Sequence, residues 1–100
     1  MLMTVAKFEA RPEVRPQLLE LARALVEHSR AEKGCLEYGC YQDITAGGTL
    51  LLVGRWTDPE ALEQHCESAC FRESASRFAD LVVEAWPSVS LYEVVEIDRL

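Results

Sequence analysis

The sequence has no basic excess. Ten Lys and Arg stand against seventeen Asp and Glu, a net charge of −7. A nucleic-acid partner, which needs a positive surface over the phosphates, is therefore not expected, nor is adhesion to an anionic membrane surface. There is no apolar run near the roughly 20 residues that span a bilayer. Met1-Leu2-Met3-Thr4-Val5-Ala6-Lys7 lacks the charged head and long apolar stretch of a secretory leader, so a soluble cytoplasmic protein is predicted. No Cys-x-x-Cys spacing supports a metal centre, and no Gly-x-Gly-x-x-Gly supports a dinucleotide site. The expectation is no metal and no cofactor. Internal repeats, low-complexity segments and linkers are also missing.

What is present suits one compact core. The 100 residues, 49% of them hydrophobic, are read as a single domain over 1–100. The four cysteines are Cys35, Cys40, Cys66 and Cys70. Nothing points to export, so reduced and mostly buried thiols are predicted. Cys35 and Cys40 should face opposite sides of a strand. Cys66 and Cys70 would share a face of a continuous helix.

Periodicity predicts the elements in order. Thr4 to Ala10 reads as a strand, with Ala6, Phe8 and Ala10 on one side. A helix follows from about Glu13 to Glu32, its inward stripe being Val14, Leu18, Leu21, Ala22, Leu25 and Ser29. Pro16 must lie in its first turn, and Gly34 supplies a left-handed stop. Cys35 to Asp43 is the second strand, with Leu36, Tyr38 and Cys40 on one face. The Gly47-Gly48 pair suggests a hairpin turn using positive φ. Leu50 to Trp56 is a third, central strand, apolar on both faces. Asp58 and Pro59 cap and open a short helix to Glu67. Ser68 caps another that runs to about Ala85, where Trp86-Pro87 stops it. Val89 to Asp98 is the last strand.

The order β-α-β-β-α-β is that of a ferredoxin-like α+β split sheet with its helices on one face. The other face would carry apolar residues with nothing over them. A monomer rarely leaves such a patch wet. A symmetric homodimer through that sheet face is predicted.

Three stretches then resemble one family. Glu32-Lys33-Gly34-Cys35-Leu36-Glu37-Tyr38 resembles its helix-to-strand junction. Trp56-x-Asp58-x-x-Ala61-x-x-x-His65 resembles its most specific spacing, and Ser68-Ala69-Cys70-Phe71 follows at the expected offset. Together they resemble the antibiotic biosynthesis monooxygenase (ABM) domain, a dimeric α+β barrel, over about Met3 to Ile97. The resemblance implies a pocket between sheet and helices, and a dimer formed sheet to sheet. Members of that family include cofactor-independent monooxygenases of polyketide or quinol substrates, haem degraders and isomerases of small signalling sugars. This chain departs from the pattern at Gly54, where an acid is usual, and at Cys70, where histidine is usual. Leu52 stands where some oxygenases carry asparagine. Ala75 stands where haem degraders carry histidine, and the first strand has no asparagine, so haem degradation is not expected.

The implied reading is a cofactor-independent monooxygenase of a small aromatic, quinol-type or polyketide-like substrate. The alternatives are a non-catalytic ligand-binding or stress-related dimer, and an isomerase on the same scaffold. His65 is the candidate general base, because its ordinary pKa near ~6.5 suits removal of a phenolic proton. A half-buried histidine bonded to backbone is the competing view. Tyr38 is the candidate donor to a substrate oxygen. Trp56, Leu52, Phe71 and Phe78 are candidate pocket walls, with Trp56 read equally well as core. Tyr41 is expected at the dimer interface, Arg55 in a pair with an acid across the sheet or the dimer, and His28 in solvent.

Overall fold

The computed structural model describes residues 1–83 and 88–100. Four antiparallel strands form one sheet in the order β2-β3-β1-β4, with β1 at Leu2–Glu9, β2 at Cys35–Gln42, β3 at Thr49–Trp56 and β4 at Ser88–Glu93. The helices are α1 (Arg15–Arg30), α2 (Pro59–Glu67) and α3 (Ala69–Leu81). This is the ferredoxin-like α+β arrangement. Along β3, every second residue (Leu50, Leu52, Gly54, Trp56) is buried toward the helices, and the residues between them are only half-buried. The core sits between that face and Leu18, Ala22, Leu25, Val26, Phe78 and Leu81 of the helices. Phe8 and Phe78 close it, with ring centroids 5.4 Å apart.

Local chemistry sets the boundaries. A 3-10 turn at Pro12–Val14 precedes α1, so the α-helix begins at Arg15 and not Glu13, with Pro16 in its first turn. Gly34 has φ of 82°. A Cβ there would come within 2.5 Å of Ala61 Cβ and 2.8 Å of Thr57 Oγ1. Its carbonyl accepts from Thr57 N at 2.9 Å. The junction between α1 and β2 is thereby pinned to the start of α2. Asp58 Oδ1 accepts from Ala61 N at 2.9 Å, with Pro59 in the first turn. Ser68 both ends α2 and starts α3: its hydroxyl donates to His65 O at 2.8 Å and accepts from Phe71 N at 3.1 Å.

Several expectations are corrected. A bulge between Cys35 and Glu37 shifts the register of β2, so Leu36 turns outward and is 48% exposed. The same extra residue puts Cys35 and Cys40 on the same side, both against the core. No cysteine is fully buried, and Cys66 is exposed. The break at Ser68 also means that Cys66 and Cys70 do not share a continuous helix. In the β2–β3 turn neither glycine adopts positive φ. Asp43 builds that turn instead, its Oδ1 accepting from Thr45 N at 2.8 Å and Thr45 Oγ1 at 2.7 Å. Helix α3 ends at Leu81, because Val82 bridges to Ala10 and Val83 N donates to Glu9 O at 2.9 Å. Trp86-Pro87, the expected stop, lies outside the described residues. Strand β4 ends at Glu93, opposite Leu2; just beyond it Val94 N donates to Met1 O at 2.9 Å and Met1 N donates to Val94 O at 3.1 Å. Val95 and Ile97, expected in that strand, are exposed.

On the sheet face away from the helices, Arg55 Nη2 meets Glu37 Oε2 at 3.0 Å across the strands. His28 is exposed.

Candidate active site

The site grows from α2. Helical spacing puts Ala61 and His65 on one face, and both are buried. Ala61 rests on Gly34. One turn later, the same face brings His65 to Glu32, at the far end of the same junction. His65 Nδ1 lies 2.6 Å from Glu32 Oε1. The imidazole is 3% exposed. It is enclosed by rings: Trp56 at 4.4 Å between centroids, Phe71 at 4.7 Å and Tyr38 at 5.3 Å. The competing view of His65 as a half-buried histidine bonded to backbone does not hold. The ring is fully buried and its partner is a side chain 33 positions away.

A cavity of about 150 Å³ opens between the sheet and α2–α3. His65, Tyr38, Leu52, Phe71 and Phe78 line it, with Ala6 and Ala75 on either side. Almost all of the wall is apolar; the polar groups are His65, Tyr38, Thr4 and the Cys66 thiol. Trp56 is wholly buried and lies behind His65, so the wall passes it by. Its Nε1 has no hydrogen-bond partner among the described residues. Nε1 lies 3.0 Å from where a Cβ of Gly54 would be, a position shared with Tyr38 Cδ2 at 3.0 Å and Thr4 Oγ1 at 3.1 Å. The glycine that departs from the resemblance therefore makes room for the indole and the phenol together.

Electrostatics divide His65 from Tyr38. Burial pushes the His65 imidazole below its ordinary 6.5, against the pull of the Glu32 carboxylate; the His28 charge adds to the lowering. Neutral imidazole is the resting form near pH 7. Burial drives the Tyr38 phenol well above its ordinary 10, and the Glu32 charge pushes it the same way. Tyr38 stays protonated and can donate. A proton acceptor and a proton donor thus share one apolar cavity.

Glu32 is the site residue that sequence reading left without a role. Its signal lay in the Glu32-x-Gly34 junction; what hid it was the 33-residue separation from His65. Among the described residues no three metal-ligating side chains converge, and no helix is long and apolar enough to cross a membrane.

Fold and cavity define a small ferredoxin-like protein with an internal apolar site, and the relatives share the fold. The family described as antibiotic biosynthesis monooxygenase matches residues 1–77. YcnE of Bacillus subtilis, named as a candidate monooxygenase, is 30% identical over 82 residues, 82% of this chain and 86% of that protein. Rv0793 of Mycobacterium tuberculosis, also named as a candidate monooxygenase, is 32% identical over 78 residues, covering 78% of this chain and 76% of that one. Its solved structure superposes with a TM-score of 0.88 over 95% of both chains, at 27% identity. A Deinococcus radiodurans structure shares the fold with a TM-score of 0.92 over 100% of this chain and 98% of the other, at 22% identity. The chain belongs to the antibiotic biosynthesis monooxygenase family.

Proposed function

We propose that the protein is a cofactor-independent monooxygenase of a single-ring phenol or quinol. The observation that carries this is a buried His65 on the wall of an apolar cavity whose size suits one aromatic ring. An apolar cavity near ~150 Å³ holds a molecule the size of benzene, and this one is about 150 Å³. His65 takes the phenolic proton, and Tyr38 donates to a substrate oxygen. Deprotonation moves electron density onto a ring carbon, ortho or para to the oxygen, that still bears a hydrogen. That carbon transfers electrons to O₂ and forms a carbon–oxygen bond, giving a ring hydroperoxide. The O–O bond then breaks and the ring hydrogen at that carbon leaves. One oxygen atom stays as a carbonyl, and the other leaves as water with two substrate hydrogens. All four electrons come from the substrate, so no reductant is consumed.

The uncovered sheet face supports a homodimer. Met3, Val5, Leu51 and Val53 are half-buried there, with Tyr41 at one edge and Tyr92 at the other. A second copy stacked sheet to sheet would bury them. The four free thiols fit a reducing compartment such as the cytoplasm.

The test is oxygen uptake with a panel of phenols, hydroquinones, naphthols and anthrones. Uptake greatest with single-ring substrates, and lost in His65→Ala, is the expected result. Tight phenol binding with no uptake would replace the enzymatic reading with that of a ligand-binding protein.

A further inference from the structure

We infer that Glu32 is a positioning residue: it fixes the tautomer of His65, so that Nε2 is the ring's proton acceptor in the cavity. The inference rests on the proposed function only for what that acceptor does. The tautomer itself is a property of the resting protein.

Glu32 stands just past the end of α1. Its backbone N donates to Ser29 O at 3.1 Å, and its carbonyl accepts from Cys35 N at 3.2 Å. The positive φ of Gly34 and the Thr57-to-Gly34 bond hold this turn against α2. The backbone therefore carries the carboxylate to His65 before any side-chain choice is made. The side chain is 17% exposed, and His65 is its only hydrogen-bond partner among the described residues. A largely buried carboxylate with one neutral partner is costly as mere packing.

The chemistry then has one solution. A carboxylate only accepts, so Nδ1 must carry the hydrogen and donate it. In neutral imidazole the other nitrogen is then a bare lone pair. Nε2 has no hydrogen-bond partner among the described residues, and the ring forms part of the cavity wall. The remaining neighbours do not compete for the assignment. Tyr38 of β2, Phe71 of α3 and Trp56 of β3 pack against the imidazole as tilted rings, and Cys66 is the adjacent residue on α2. From α1, only the charge of His28 reaches the ring. Glu32 also stabilises the imidazolium formed once Nε2 has taken a proton.

The experiment is long-range ¹H–¹⁵N correlation spectroscopy of the labelled full chain across pH, with no substrate present. Wild type should show His65 as a single neutral form protonated at Nδ1. Glu32→Ala should lose that preference, the Nε2-protonated form becoming populated. Glu32→Gln, whose amide oxygen still accepts from Nδ1, should keep the tautomer while the His65 pKa falls by about one unit or more through loss of the charge. An unchanged His65 tautomer in a folded Glu32→Ala protein would overturn the inference. An unchanged pKa in Glu32→Gln would do so too, should the alanine variant fail to fold. Oxygen uptake does not enter these readouts, so a failed monooxygenase assay leaves the positioning role standing, and the reverse also holds.

Discussion

Gly34 lies against Ala61, with no room for a methyl group between them. The Ala61 Cβ would be 2.5 Å from a Cβ at position 34, which also sits at φ of 82°. Gly34→Ala should destabilise the fold by roughly 1–3 kcal/mol, combining the strained backbone with the clash. Urea denaturation measures the loss. Because the same contact seats Glu32 beside His65, the variant should also disturb the His65 imidazole signals while distant core resonances stay in place.

The pH dependence follows from the lowered pKa of His65. The unfolded chain protonates first, near ~6.5. The stability contribution of neutral His65 is therefore complete above that pH, and it is lost as pH falls from there through the folded value. Oxygen uptake should follow the same sense, with kcat/KM level at pH 7–8 and an acid limb below ~6.5. A limb centred above that value would contradict the assignment of His65 as base.

Tyr38 gives an optical test. Its phenol is pushed well above 10 by burial. The difference between the ultraviolet titrations of wild type and Tyr38→Phe should show no tyrosinate signal from this residue at pH 10 while the protein is folded, and should show it on unfolding. In catalysis, Tyr38→Phe removes one hydrogen bond to substrate, a loss of about tenfold in kcat/KM.

Ala75 lines the cavity without belonging to the polar pair. Ala75→Leu adds three carbons to a space sized for one ring. Binding of single-ring phenols should weaken by about tenfold or more, a cost of ~1.4 kcal/mol. Isothermal titration reads this directly. The thermal midpoint should change little, because the added atoms fill an existing void.

The dimer has its own variant. Leu51 is half-buried on the uncovered face, opposite Lys7 of β1 and Tyr41 of β2. Leu51→Lys places a charge in any sheet-to-sheet contact while costing the monomer little. Analytical ultracentrifugation at micromolar concentration should show wild type as a dimer and the variant as a monomer with unchanged circular dichroism.

The order of elements was legible where a boundary has a local cause. Asp58 with Pro59, Ser68 and Gly34 act within a few residues of themselves, and each acts where its chemistry indicates. The errors came from distant partners. Leu36 turned outward because a bulge in β2 answers the register of β3, and α3 stopped at Leu81 because Val82 is claimed by Ala10. The site divides the same way. His65 and Tyr38 were readable as residue types suited to proton transfer. Glu32 was not, because the turn that presents it to His65 depends on a contact between Gly34 and another helix.

Ser68 contributes no atom to the cavity wall, yet the wall depends on it. His65 and Phe71 are six positions apart, which on an unbroken helix would set them about 120° apart around the axis, on different faces. Their rings instead lie 4.7 Å apart, because one hydroxyl terminates the helix before it and begins the next. The jaw of the cavity is thus a knuckle between two short rods. Its gape is governed by an angle, so a chain of this design can be refitted to a wider or narrower guest from a position the guest never touches.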